Sequence, residues 1–259
     1  MRLVWYHHYT VGSNVGLTKS IRLITLISID EPLQRAEAGQ FVMLYLPNVG
    51  ELPLSVYSQT RSELSFIVED FGGFSSNVID LKKGDTVGVR GPFGRGFTKR
   101  PDTYYLIVAG GSGAPPLLNF IEQARRLPGS RFIYVLGARS SEELFLLDEV
   151  KRMGAELRTA TDDGSSGFKG YATELAEEII RKNSVDAIYA CGPEPMLISA
   201  LELSNRHGLY FEGSFVRDVR CAVGVCGLCV MDGTGKLLCT DGPVFSREEL
   251  VSSGVQCSI

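Results

Sequence analysis

Hydrophobic and polar positions change rhythm near residue 100. Before it, short apolar and β-branched runs at 21–29, 41–46, 64–68 and 86–90 are separated by Gly, Pro and Asp. Short strands at such spacing close into a barrel or sandwich. The run Gly91-Pro92-Phe93-Gly94-Arg95-Gly96 concentrates chain breakers and marks a boundary just after it. From residue 101 the pattern alternates. Apolar runs at 104–109, 132–137, 156–161 and 187–191 suit buried parallel strands, and helix-period stretches at 115–127, 142–153, 173–182 and 194–207 lie among them. Ser140 with Glu143 three residues on predicts a capping box opening the second helix. This alternation predicts a doubly wound parallel α/β domain. From residue 211 glycine and cysteine dominate and helical period fades, leaving too little core to fold without a metal staple.

Composition narrows the partners. At 44% hydrophobic and 22% charged residues, the 259-residue chain is expected to build packed cores. A net charge of −4 creates no basic field to draw nucleic acid or an anionic membrane. No apolar run approaches the roughly 20 residues of a bilayer span. The opening residues, Met1 to His8, lack the apolar h-region of a secretion signal, so cytoplasmic residence is expected. Six cysteines stand at 191, 221, 226, 229, 239 and 257, four of them within 19 residues. Such crowding in a chain able to form its own core predicts a metal in a reducing compartment, not a disulfide framework.

The crowded cysteines have the spacing Cys221-x4-Cys226-x2-Cys229-x9-Cys239. Four thiolates suit zinc or an iron–sulfur cluster. A zinc ribbon pairs two C-x2-C knuckles, and only Cys226/Cys229 has that form. The x4-then-x2 order is that of plant-type 2Fe–2S ferredoxins. Small residues at Ala222, Gly224 and Gly227 would let backbone N–H groups reach the sulfurs, with the fourth ligand arriving from a later strand. Zinc or unliganded thiols are the alternatives. Cys257 is expected to be a free surface thiol.

The predicted strand 104–109 runs into Gly110-Gly111-Ser112-Gly113-Ala114-Pro115-Pro116. A strand, glycines and then a helix start can hold a phosphate on backbone N–H groups, or can be a plain tight turn. Three further loops follow predicted parallel strands: Gly137-Ala138-Arg139, Thr161-Asp162-Asp163-Gly164 and Cys191-Gly192-Pro193-Glu194. Loops at the carboxyl ends of such strands form a ligand crevice. Arg139 is either a phosphate ligand or a solvated side chain. Cys191 alone reads as a small buried hydrophobe.

Together these motifs resemble the ferredoxin–NADP reductase superfamily and, within it, the electron transfer subunits of dihydroorotate dehydrogenase. The resemblance spans nearly the whole chain. It is carried by Leu52-Pro53-Leu54-Ser55, Gly91-Pro92-Phe93-Gly94, Gly110-Gly111-Ser112-Gly113, Thr161-Asp162-Asp163-Gly164, Cys191-Gly192-Pro193-Glu194-Pro195-Met196 and the cysteine loop, then Cys239-Thr240-Asp241-Gly242-Pro243-Val244-Phe245. It implies an antiparallel FAD-binding β-barrel over 1–99, a nucleotide-binding α/β domain over 100–210, and a small 2Fe–2S domain over 211–259. Cofactor contacts are implied at Pro53, Leu54, Ser55, Ile67, Val68, Glu69, Phe74 and Ser75 for FAD. Gly110, Gly111, Ser112, Gly113 and Cys191 are implied for the nicotinamide nucleotide, NAD. Cys221, Cys226, Cys229 and Cys239 would hold the cluster.

The motifs depart from the family at four places. Leu52 stands where the family carries an arginine to the FAD pyrophosphate, Glu69 where it has a second arginine, and Phe74-Ser75 where it has Gly-Thr. Each lost charge-assisted hydrogen bond is worth about 1.5–3 kcal/mol, so the pyrophosphate grip should be weaker unless Arg61 or Arg95 substitutes. Val216 replaces an acidic residue near the first cluster cysteine, which predicts poor NAD affinity. The implied role is that of an oxidoreductase subunit without substrate chemistry of its own. It passes electrons between the FMN of a dihydroorotate-oxidising catalytic subunit and an external acceptor, as part of a heterotetramer or similar hetero-oligomer in pyrimidine biosynthesis. Val244 and Phe245 are expected either as exposed docking anchors or as closure of the small domain's core. A related module of a hydrogenase or a ferredoxin–NADP reductase, or a zinc-stabilised nucleotide-binding regulator, are the other readings.

Overall fold

A computed structural model describes residues 6–251; the rest, including Cys257, lie outside the described residues. The first hundred residues form one seven-stranded antiparallel sheet curled into a barrel. Its strands are β1 (His7–Gly16), β2 (Ile21–Ser28), β3 (Phe41–Leu46), β4 (Gly50–Ser55), β5 (Ser58–Gln59), β6 (Glu63–Glu69) and β7 (Thr86–Phe93), in the order β4-β3-β7-β1-β2-β6-β5. Helix α1 (Phe74–Ile79) lies between β6 and β7. Alternate side chains point inward, so Tyr9, Ile24, Leu26, Val42, Leu44, Phe66 and Val89 build a core inside the curl. β1 and β4 escape the apolar-run pattern because their residues are largely polar or half-exposed; Tyr9 and Val11 are the only residues of β1 fully buried.

The second sheet carries β8 (Tyr104–Gly110), α2 (Ala114–Ala124), β9 (Arg131–Ala138), α3 (Leu147–Arg152), β10 (Glu156–Thr161) and β11 (Phe168–Lys169). It continues through α4 (Ala172–Lys182), β12 (Ala187–Cys191), α5 (Glu194–His207) and β13 (Tyr210–Ser214) to an edge strand β14 (Val244–Ser246), in the order β11-β10-β9-β8-β12-β13-β14. The strands from β11 to β13 are parallel. Its central strands β8, β9 and β12 are buried on both faces, which is why they read as unbroken apolar runs. One sheet face packs Tyr105, Phe120, Phe132 and Tyr189 into an aromatic cluster with α2. The other packs Val108, Val135 and Ala190 against α4 and α5.

The expected helix over 142–153 is broken. A 3-10 turn at Ser141–Glu143 precedes Leu146 in the left-handed region, φ 59°, and only then does α3 begin. Ser140 makes no capping bond, and the Glu143 carboxylate accepts instead from the backbone N–H of Arg139. The bend turns Phe145 into the core.

The cysteine region is less separate than its sequence implies. After β13, residues 215–237 carry no helix or strand, then come α6 (Leu238–Asp241), β14 (Val244–Ser246) and α7 (Arg247–Val251). β14 pairs antiparallel with β13 and so completes the α/β sheet. Val244 is 0% and Phe245 1% exposed, which corrects the docking expectation: both close the core, Phe245 edge-on to Phe215. The run Gly91 to Gly96 packs on this return. Arg95 N–H donates to the Gly242 carbonyl, its guanidinium donates to the Val244 carbonyl and pairs with Glu249, and Lys236 reaches the same carboxylate.

This clamp makes a stability prediction. Burial pushes the Glu249 carboxyl up, but Arg95, the Ser246 N–H and Lys236 outweigh it and hold the group at about 2. A carboxyl depressed on folding stabilises above its unfolded value and loses that contribution as pH falls toward its folded one. The Glu249 contribution is therefore complete above about pH 5 and fades toward pH 2. Glu249→Gln is expected to cost about 1–2 kcal/mol at pH 7 and to flatten the acid limb. Urea denaturation at stepped pH checks this; a variant as acid-sensitive as its parent rules it out.

Candidate electron-transfer site

One cavity of about 1080 Å³ opens where the barrel meets the carboxyl ends of the parallel strands. Phe41, Pro53, Ser55 and Glu69 line its barrel side; Gly110, Gly111, Ser112, Gly113 and Cys191 line its α/β side. All of these but Phe41 were candidates in the sequence, where only the family resemblance joined segments so far apart. In the fold, β3, β4 and β6 meeting β8 and β12 is what joins them. Phe41, which sequence reasoning missed, sits on β3 with 4% exposure, its ring beside Phe93. Nothing in the sequence set it apart from the other apolar residues of its run; only the structure shows the break in register between β3 and β7 at that position.

Other expected contacts lie behind the cavity wall. Leu54 and Val68 face the barrel core, Ile67 faces the aromatic core, and Phe74 packs on the barrel core beside Leu52. Ser75 is buried; its hydroxyl accepts from the Phe71 N–H and donates to the Gly72 carbonyl, stapling its own turn. Leu52, in place of the family's arginine, and Phe74, in place of its glycine, are thus spent on the same apolar cluster. Neither suggested substitute stands in. Arg95 is bound in the clamp, and Arg61 sits in the turn preceding β6, on the order of 25 Å along the strand from Glu69.

The cavity walls are acidic or neutralised. Glu69 reaches within 3.7 Å of where a Cβ on Gly111 would stand. The two lining arginines are paired: Arg139 with Glu143 at 2.8 Å, and Arg217 with Glu194 through two bonds of 3.0 Å. Pro115 and Pro116 open α2 without N–H groups, so the donors offered to an anion are those of the glycine turn. These features fit a flavin and a nicotinamide ring better than a strongly gripped pyrophosphate. Burial pushes the Cys191 thiol up to about 12, only partly offset by Ser214, so it stays neutral. Val216 is 73% exposed on the same wall, and no carboxylate occupies its place.

The four clustered cysteines come together on the loop and α6. Cys229 and Cys239 are buried, Cys221 is half-buried and Cys226 exposed. Ala222 at φ 60°, with Gly224 and Gly227 also at positive φ, turns the loop so that backbone amides face sulfur. The N–H groups of Val225 and Cys226 donate to Cys221 Sγ at 3.4 Å, and that of Cys239 to Cys229 Sγ at 3.5 Å. Backbone bonds from Cys226, Val223 and Val225 pull the Cys221 thiol down to about 6, while burial and the neighbouring Cys229 push Cys239 up to about 11. The fourth cysteine stands on a helical turn, not on the strand expected.

The thiols therefore associate in two pairs, Cys221 with Cys226 and Cys229 with Cys239. Cys239 also lies near enough to Cys221 to feel its charge, so the two pairs face one another. A tetrahedral zinc site needs all four on one point; a two-iron cluster spreads its thiolates over two metals, and its bridging sulfides accept backbone N–H bonds. The donor set fits 2Fe–2S.

A barrel and a parallel nucleotide-type sheet sharing one cleft, with a cysteine loop against them, define a flavin-dependent reductase with an iron–sulfur appendage. Residues 107–201 match the family model for the oxidoreductase NAD-binding domain, and residues 217–251 that for the iron–sulfur cluster binding domain of dihydroorotate dehydrogenase B. The chain is 42% identical to a probable dihydroorotate dehydrogenase B (NAD(+)) electron transfer subunit of Thermococcus kodakarensis, over 82% of this chain and 86% of that one. It is 40% identical to the corresponding protein of Methanocaldococcus jannaschii, over 82% and 80%. A solved structure of an NADH-dependent reduced ferredoxin–NADP oxidoreductase aligns at TM-score 0.84 and 26% identity, covering 96% of this chain and 91% of that one. The chain belongs to the family of dihydroorotate dehydrogenase B electron transfer subunits.

Proposed function

We propose that this chain relays electrons between the FMN-containing catalytic subunit of a dihydroorotate dehydrogenase and an external acceptor, in the cytoplasm and in the service of pyrimidine biosynthesis. The observation that carries the reading is the pairing of the four thiols on a loop docked behind the wall of the flavin-sized cavity. Bound FAD supplies exchange between electron pairs and single electrons, and a 2Fe–2S cluster carries electrons one at a time. The protein's own contribution is placement. Phe41 and Pro53 give the isoalloxazine an apolar wall, Ser55 a hydrogen-bond partner, and β4 and β6, with Leu54, Ile67, Val68, Glu69, Phe74 and Ser75, hold that wall in place. The turn at Gly110, Gly111, Ser112 and Gly113 offers amides to a nucleotide, and neutral Cys191 packs at the nicotinamide end without acting as a nucleophile. NAD is admitted there and gripped weakly, because Glu194 is held by Arg217 and residue 216 carries no charge.

The catalytic subunit would meet the apolar residues around Cys226. Val225 is 82% and Leu228 54% exposed, with Val223 and Val230 beside them, and an apolar centre of this kind anchors interfaces. Mixed with that catalytic subunit, the chain should form a stable hetero-oligomer in which dihydroorotate bleaches the cluster absorbance, and Cys229→Ser should abolish the bleaching. Reduction of FMN with an oxidised cluster in a demonstrably formed complex would reject the reading. The close structural likeness to a ferredoxin–NADP oxidoreductase favours a second reading, a subunit of that type of enzyme. It predicts no response to dihydroorotate and flavin reduction by reduced ferredoxin in a complex with a different partner. No helix of the described residues is long and apolar enough to cross a membrane.

A further inference from the structure

A buried charge pair outside the cavity joins the barrel to the cysteine loop. Arg90 on β7 and Glu51 on β4 stand on the strands flanking β3 and pair across it, Nε to Oε1 at 2.5 Å and Nη2 to Oε2 at 2.7 Å. Their side chains are only 10% and 20% exposed, and the Tyr6 hydroxyl donates to the same carboxylate at 2.7 Å. The fork does not end there. Arg90 Nη1 donates to the Cys221 carbonyl at 2.9 Å and Nη2 to the Arg220 carbonyl at 3.2 Å, across some 130 residues of sequence. Its guanidinium also lies 5.3 Å over the Phe93 ring, which leans on Phe41, a residue of the cavity wall. Arg90 is therefore a cation fixed between that wall and the first cysteine of the loop.

A pair so placed is poorly explained by stability. Removing two charges from water is costly, and apolar residues of similar size commonly hold a fold as well. Fixed charge matters far more to a group that changes charge nearby. A 2Fe–2S cluster gains one negative charge on reduction, and its potential follows local charge and hydrogen bonding. At low local dielectric such interactions are screened little.

We propose that Arg90 is a positioning residue that holds the Cys221 end of the loop against the cavity wall and, with Glu51 as counter-charge, sets the reduction potential of the cluster. The inference rests on the 2Fe–2S reading above. Arg90 touches the loop directly and Glu51 only through Arg90, so the cation dominates at the cluster. Loss of Glu51 alone should favour the reduced cluster, and loss of both charges should disfavour it.

The test is an EPR-monitored redox titration of the flavin- and cluster-loaded protein, after iron and sulfide have been assayed. Glu51→Gln, which keeps the size and a hydrogen-bonding oxygen, should shift the midpoint to higher potential than the parent. The Glu51→Gln/Arg90→Met double variant, which leaves no orphan charge, should shift it lower than the parent. A Glu51→Gln protein with the parent's potential or a lower one, or one that folds with flavin but assembles no cluster, overturns the proposal. Glu51→Gln decides the matter by itself should the double variant not fold. A parent chain with neither iron nor sulfide would instead bring down the underlying cluster reading.

Discussion

Replacing Cys226 by serine is expected to strip the cluster from the protein while leaving its flavin. The parent should hold about two irons and two acid-labile sulfides per chain. Cys226 is the exposed member of the Cys221/Cys226 pair, so its loss leaves one iron with a single thiolate, and a hydroxyl is a hard, weakly acidic substitute for soft sulfur. The consequence is structural as well. Residues 215–237 contain no helix or strand; Arg217 on Glu194 and Lys236 on Glu249 tie down the two ends, and between them the segment is held by the cysteines, by Arg90 at the carbonyls of Arg220 and Cys221, and by the bridge from Val230 to Leu237. Without the metals the loop should become protease-sensitive, whereas β14, clamped through Arg95 and Glu249, should stay docked. Iron and sulfide assays, the visible spectrum and limited proteolysis read these effects separately. Stoichiometric zinc without sulfide in the parent would sink the cluster assignment.

A single methyl group at Gly113 should do comparable damage to the cavity. Gly113 has φ −77°, which any residue adopts, so the obstacle is space and not backbone conformation. A Cβ there would stand 2.2 Å from the Cys191 carbonyl oxygen, 2.4 Å from its carbon and 2.6 Å from Gly192 N. All three are backbone atoms and cannot rotate away. Gly113→Ala must therefore part the start of α2 from the end of β12, the joint that shapes the nucleotide side of the cavity. Overpacking of this kind costs about 3 kcal/mol, equivalent to about 6–12 °C in Tm for a chain of this size, and flavin content should fall with it. A variant with the parent's melting temperature and flavin content would show that the joint yields more easily than its geometry indicates.

Much of this molecule was determined by sequence alone, for local reasons. Strands β8, β9 and β12 announced themselves because burial on both faces demands continuous apolar runs, and the cysteine spacing exposed the cluster because a tight loop must deliver three thiolates at fixed intervals. Local signals failed where tertiary contact decided. β1 is pinned by its neighbours β2 and β7 although few of its residues are apolar, and Ser140 lost its capping role when Phe145 was drawn into the core. In sequence Val244 and Phe245 could be docking anchors or core; pairing with β13 and packing on Phe215 made them core. No spacing rule links Arg90 to Cys221 or Arg95 to Glu249, because those partners are remote in sequence and adjacent only once the barrel, the sheet and the returning strand have met. The sequence settled which chemistry the chain can hold, since ligand types and turn-forming residues are local properties. Only the tertiary structure decided which charges and walls surround that chemistry, since these depend on side chains meeting across separately folded layers.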